Sequence, residues 1–308
     1  TGVSCGGGVP SGGAGCGAAD FPGKTPDGAP RLRFISYICD DENRDRMKLT
    51  FLGTGTSQGV PVIGCRCGVC TSPDRRDWRL RTSAMVETRG VRLVIDAGPD
   101  FRYQMLRTGV RRLDAILLTH EHKDHIGGLD DVRAFNFVDY PPTVRKVDLY
   151  AAPRTVACVR KDFDYAFAQD KYRGVPEIEL HEIDVSRPFE VRGVGVTPVS
   201  GHHSDRFAVT GYRIGPLAYL TDFKTIGRAE EEKLLGVEVL VVNALRFEPH
   251  YSHFNVEEAL ELKEWTSPGR RAEGYAGLRM KMQPLDGPRL SGHAQLRGFE
   301  PQAWPHMA

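Results

Sequence analysis

Three histidines and an aspartate fall within six positions: His120, His122, Asp124 and His125, in the run LLTHEHKDHIGG. Imidazole suits zinc and similar ions, and a carboxylate adds a hard oxygen donor. The run leaves an apolar strand, so alternate side chains can face two neighbouring ions. His120 and His122 are expected to hold one metal, and Asp124 and His125 the other. The Gly127-Gly128 pair lets a helix start close to the ions. A merely solvated polar loop is a poor account of four such groups in six positions. The chemistry implied is hydrolysis at a dinuclear centre.

Cys65, Cys67 and Cys70 form a second cluster, C-x-C-x-x-C. Thiolates at that spacing can supply three corners of a tetrahedral zinc site, which would pin a loop rather than do chemistry. Three free thiols on a Gly-rich loop is the plainer alternative. Clustered thiols fit a reducing compartment, and the expected location is cytoplasmic. Cys158 lies in an apolar helical pattern and reads as core.

The elements that must position these groups lie between residues 47 and 263. Strand-like runs are expected at 48–52, 83–88, 92–96, 115–119, 177–183, 191–199, 208–214, 217–221 and 237–243. Helical patterns fall near 100–108, 155–168 and 256–262. Asn255 followed by Glu258 predicts a capping box at the last of these helices. The alternation reads as a layered α/β sandwich.

The flanks differ. Residues 1–46 hold ten Gly and four Pro without periodicity, and are expected to be a disordered or non-native extension before Met47. Residues 264–308 hold six Gly and five Pro, and neither Val nor Ile. They are expected to be an aberrant tail, and a frameshift near Lys263 would explain the abrupt change.

The 41 basic and 40 acidic residues nearly cancel, which gives no electrostatic case for a nucleic-acid or membrane partner. No apolar run approaches the roughly 18 residues of a spanning helix. The cluster Arg75, Arg76, Arg79 and Arg81 reads as a solvated face that could also meet substrate phosphate.

The HxHxDH run resembles the signature of the metallo-β-lactamase superfamily, whose fold is an αββα sandwich. Thr54-Gly55-Thr56-Ser57, the turn Ile95-Asp96-Ala97-Gly98, the pair His202-His203 and the run Tyr219-Leu220-Thr221-Asp222 follow that pattern in order. The resemblance implies His203 as a further ligand of the first metal, with His202 as the competing candidate, and Asp222 as a carboxylate bridging both ions.

Within the superfamily the chain resembles the phosphoribosyl cyclic phosphate phosphodiesterase group, relatives of the tRNase Z enzymes. The stretch TGTSQGVP from Thr54, the cysteine cluster and His253-Phe254-Asn255 carry this likeness over about residues 47–263. It implies two divalent ions, zinc or manganese, a hydroxide nucleophile held by them, and a small-molecule phosphodiester as substrate. A homodimer stays open as an assembly. His253 resembles the histidine that protonates the leaving oxygen, with His250 a weaker candidate; Asp124 is expected to be catalytic as well as a ligand. The family ends in a strand bearing one histidine for the second metal and another for the cysteine site. Only His293 and His306 remain in this chain, in Pro/Gly-rich sequence. The last strand and helix are therefore expected to be missing. The alternatives are a hydrolase of other esters, lactones or thioesters, or a metal-binding protein of impaired activity.

Overall fold

The computed structural model describes residues 47–266. The expectations for residues 1–46 and for the tail beyond Thr266, including His293, His306 and the missing last strand and helix, lie outside the described residues.

Twelve strands are described: β1 (Met47–Gly53), β2 (Ser83–Thr88), β3 (Val91–Ile95), β4 (Ala115–Leu117), β5 (Val147–Ala151), β6 (Ile178–Glu182), β7 (Phe189–Val191), β8 (Val194–Ser204), β9 (Phe207–Ile214), β10 (Leu217–Leu220), β11 (Thr225–Ile226) and β12 (Val239–Val242). The α-helices are α1 (Phe101–Thr108), α2 (Lys123–Ile126), α3 (Arg133–Asn136), α4 (Pro153–Asp162), α5 (Asp164–Phe167), α6 (Arg228–Glu232) and α7 (Val256–Thr266).

The strands form two mixed sheets. One runs β1-β2-β3-β4-β5-β6; the other runs β11-β8-β9-β10-β12, with β7 beside β8. Period-two alternation sorts their side chains between three cores. On the first sheet Met85, Val94 and Ile116 face the helices around Phe101, Val156 and Val159. Their neighbours Ala84, Val86, Leu93, Ile95 and Leu117 face Tyr212, Ile214, Leu217 and Tyr219 of the second sheet. On the other side of the second sheet, Val209, Ala218 and Leu220 meet Leu234, Ala259 and Leu262. Three cores between four layers define an αββα sandwich.

Three expectations are corrected. The single strand expected at 191–199 is a hairpin, because Arg192 and Gly193 both have positive φ (50° and 82°), the conformation that tight hairpin turns require. The helix expected at 155–168 is two helices, interrupted at Phe163 with φ −121°. Strand β5 is additional; its VDLYA pattern alternates buried and half-buried residues but is flanked by polar sequence. The capping box is present: the Glu258 N–H donates to Asn255 Oδ1, and the Asn255 N–H donates to Glu258 Oε2, each at 2.9 Å. Among the described residues no helix is long and apolar enough to cross a membrane.

Candidate metal centre

The site forms where β3, β4 and β10 end and the loop before α7 returns over β8. His120 follows β4, His125 lies in α2, His203 lies near the end of β8, Asp222 follows β10, and His253 precedes α7. Close backbone packing seats the HxHxDH loop. A Cβ on Gly98 would stand 1.8 Å from the Asp124 carbonyl oxygen, and one on Gly128 would stand 2.0 Å from the Gly98 carbonyl oxygen. Only glycine allows either approach.

Two sets of donors converge, each with its ligand atoms within 4.8 Å of one another: His120, His122 and His203; and His120, His125 and Asp222. His120 Nε2 lies 2.9 Å from His122 Nδ1. Asp222 Oδ2 lies 2.7 Å from His125 Nε2 and 3.7 Å from His120 Nε2. The first set is the grouping expected for the first metal. The second set differs from the expected pairing of Asp124 with His125: Asp124 stands at its edge, 3.3 Å from His125 Nε2. Asp222, at φ +59°, has the left-handed backbone that non-glycine residues rarely adopt. Such an outlier in a cluster of ligand side chains marks a functional position.

The choice between the adjacent histidines is made by a bulge. The β8–β9 register shifts between His202 and Ser204. His202 is exposed while His203 is buried and joins the cluster. The His203 Nδ1–H donates to the Ser252 carbonyl at 2.7 Å, which leaves Nε2 as its free donor atom.

Asp96, fully buried, orients two more rings. It accepts the Nδ1–H of His125 at 2.7 Å. It also accepts the Thr119 hydroxyl at 2.9 Å, and that hydroxyl accepts from His120 Nδ1 at 3.0 Å. Both rings therefore turn Nε2 inward. The sequence marks Asp96 only as a turn residue, although a carboxylate directly after the apolar run Leu93-Val94-Ile95 was the signal for a buried anchor.

The donor set fits divalent ions. His125 Nε2 is buried and faces the carboxylates of Asp222 and Asp124, at 2.7 and 3.3 Å, without a well-aligned hydrogen bond to either. Burial and the neighbouring imidazoles hold His120 well below the usual histidine range, which favours the neutral form a metal ligand needs. Burial would lower His125 too, but Asp96 and Asp222 override it and raise this histidine well above that range. Burial would raise Asp222, yet the positive charge of His125 holds it below the usual carboxylate range. Buried carboxylates in this arrangement call for a cation beside Nε2, which a divalent ion would supply.

His253 Nδ1 lies 3.5 Å from Asp222 Oδ1. Its side chain keeps 21% exposure, whereas those of His120 and His125 have none. Burial pushes His253 down to about 4, against the pull of Asp222. Burial thus works against the protonated form expected of this ring. His250 stacks on His253 with centroids 5.2 Å apart, and its Nδ1 faces the Ser252 N–H at 3.3 Å.

The three cysteines also converge, with sulfurs within 4.8 Å. The Cys70 N–H points at Cys67 Sγ (3.5 Å), and the Val62 N–H at Cys70 Sγ (3.4 Å). The Cys70 N–H lowers the Cys67 thiol, while burial pushes Cys70 up to about 11. Cys158, half-buried on α4, is not part of this cluster. The nearby arginines serve local structure: Arg76 pairs with Asp74, Arg81 with Asp100, and Arg79 donates to the carbonyls of Arg76 and Trp78.

Residues 91–271 match the family model described as the beta-lactamase superfamily domain. With a four-layer sandwich and a histidine-rich centre at its strand ends, the chain belongs to the metallo-β-lactamase superfamily. It is 41% identical to a diphosphatase from the PhnP family, over 71% of this chain and 82% of that one, with a TM-score of 0.64, which places it in that family. The octanoyltransferase of Porphyromonas gingivalis is 42% identical over 217 residues, 70% of this chain; the chain spans only 43% of that protein. The Zn(2+)-bound PqqB of Methylobacterium extorquens shares the fold at 23% identity and a TM-score of 0.52.

Proposed function

We propose that the chain is a metal-dependent hydrolase that cleaves the P–O bond of a small-molecule phosphodiester. The observation that carries this reading is the convergence of His120, His122, His203, His125 and Asp222 in two overlapping donor sets, with His253 beside Asp222. The first ion would be held by His120, His122 and His203, the second by His125, Asp124 and Asp222, with Asp222 shared. Bound divalent ions supply an acidified water and positive charge against the phosphoryl oxygens.

The protein's own groups do the rest. Asp96, through His125 directly and through Thr119 to His120, fixes which ring nitrogens face the reaction. His253, the partly open imidazole beside the carboxylate, offers a hydrogen bond to the leaving oxygen. The balanced charge of the chain agrees with a small substrate better than with a polyanion.

A second reading is cleavage of a diphosphate linkage. It is favoured by the 41% identity to the PhnP-family diphosphatase. The two share phosphoryl chemistry and differ in the leaving group.

Metal content, measured alongside turnover of bis(p-nitrophenyl) phosphate, a dinucleoside diphosphate and p-nitrophenyl acetate, tests both. Diester turnover that a chelator abolishes supports the first reading, and preference for the diphosphate supports the second. Metal-dependent turnover of the acetate alone would overturn both, and bound metal with no turnover would identify an impaired site.

A further inference from the structure

Three of the four clustered imidazoles are fixed by a hydrogen bond from the ring nitrogen turned away from the cluster: His120 to Thr119, His125 to Asp96, and His203 to the Ser252 carbonyl. His122 is different. Among the described residues its ring nitrogens are within hydrogen-bond distance only of His120 Nε2, on the cluster side.

Packing holds its outer side instead. The Phe207 ring lies against the His122 ring, with centroids 4.8 Å apart and planes at 59°. The Arg154 guanidinium lies over Phe207, 5.1 Å from its centroid. Arg154 Nε is 2.6 Å from Glu121 Oε1, and its Nη1 donates to the Arg206 carbonyl at 3.2 Å. Glu121 stands between His120 and His122 in the chain, and only 10% of its side chain is exposed. The Thr155 hydroxyl is 3.4 Å from its other oxygen. The contacts thus form a closed circuit: His122 to Phe207, to Arg154, to Glu121, and back to His122 through one peptide bond.

The Arg154 side chain is 58% exposed, and a long cationic side chain in water has no reason of its own to be held at three points. Its planar cation suits the face of Phe207. The ion pair with Glu121 aims it there. We propose that Arg154 is a positioning residue for His122, acting through Phe207 and Glu121 in place of the hydrogen bond the other three rings possess. The inference rests on the reading of this cluster as a metal centre.

Arg154→Ala, Arg154→Lys and Phe207→Leu test it in the full chain, with two measurements. The first is cobalt(II) titration followed by the d–d bands. The thiolate-to-cobalt charge-transfer bands of the cysteine site serve as an internal control. Arg154→Ala and Phe207→Leu should weaken cobalt binding at the histidine site about tenfold, as loss of an orienting partner does, and alter its d–d bands. The cysteine bands and the Tm of the metal-free protein should not move. Arg154→Lys keeps a cation but not the planar stack, and should recover only part of the affinity. Wild-type affinity and band shape in Arg154→Ala would overturn the inference, as would equal weakening at the cysteine site, which would mean general loosening.

The second measurement is ¹⁵N-histidine NMR of metal-free protein. The His122 ring should show one tautomer in the wild type and averaged signals in Arg154→Ala; identical signals would overturn the inference. If wild-type protein binds cobalt only through its cysteines, the metal-centre reading fails by itself. The NMR comparison still decides whether Arg154 holds the ring.

Discussion

Asp96 accepts the Nδ1–H of His125 at 2.7 Å, with both side chains wholly buried. Its carboxylate also takes the backbone N–H and the hydroxyl of Thr119, at 2.8 and 2.9 Å. One carboxylate therefore sets the direction of two candidate ligands, and its own backbone adopts φ +64° to do so.

Asp96→Asn keeps the shape of this anchor but replaces one acceptor oxygen by a donor. It should weaken metal binding at the histidine site roughly 10–100-fold, read by competition with a chromophoric chelator. Wild-type affinity in this variant would mean that the His125 ring is oriented by its packing alone.

His202 and His203 are neighbours with opposite fates. His203→Ala should remove a ligand and lower the metal content of the histidine site, while His202→Ala should leave metal content and turnover at wild-type levels. Elemental analysis of the two purified variants distinguishes them, and the reverse pattern would show that the bulge in β8 has been assigned to the wrong residue.

Metal removal should also cost stability. An ion that binds only the folded state adds about 2.7 kcal/mol when present at 100 times its Kd. The Tm should therefore rise with added zinc and fall with a chelator. A Tm indifferent to both would count against the donor sets as a binding site.

The capping box gives a pH-dependent contribution. Burial works to raise Glu258, but Lys224 and the Asn255 N–H hold it below the usual range. A carboxylate with a lowered folded-state value stabilises the fold above its unfolded value, about 4.3. That stabilisation is lost as pH falls through the folded value. Glu258→Gln should therefore be less stable than wild type at pH 6, and the gap should narrow as pH falls below about 4.3. Asn255→Ala should cost about 1 kcal/mol. Urea midpoints across that range measure both.

The cysteine cluster predicts ordered reactivity in chelator-treated, reduced protein. Cys70 is buried, with its thiol pushed up to about 11, whereas Cys67 is half-exposed and its thiol lowered. At pH 8 iodoacetamide should modify Cys67 roughly tenfold or more faster than Cys70, since the thiolate is the reactive form. Zinc should protect both. Equal rates, or no protection, would argue against a preformed thiolate site.

Much of this was legible in the sequence because it is local. His120, His122, Asp124 and His125 span six residues, and a strand end followed by a short helix brings them together almost whatever surrounds it. The capping box spans four residues and forms as its residue types require. Period-two patterning located most of the strands, since each strand buries one face of side chains in one core and the other face in the next.

The rest was decided by the tertiary structure. His203 rather than His202 faces the donor cluster because a bulge, set by pairing with β9, shifts the register there. Asp96 reaches His125 across 29 residues of chain, and only the parallel pairing of β3 with β4 brings their ends together. The role of Arg154 depends on Phe207, which arrives on another sheet. Sequence periodicity states which face of an element is buried, but not which element it is buried against. By itself the sequence determined that this protein would gather ligands for metal. The order of strands, and the contacts that order permits, decided which side chains complete the set and which hold it in place.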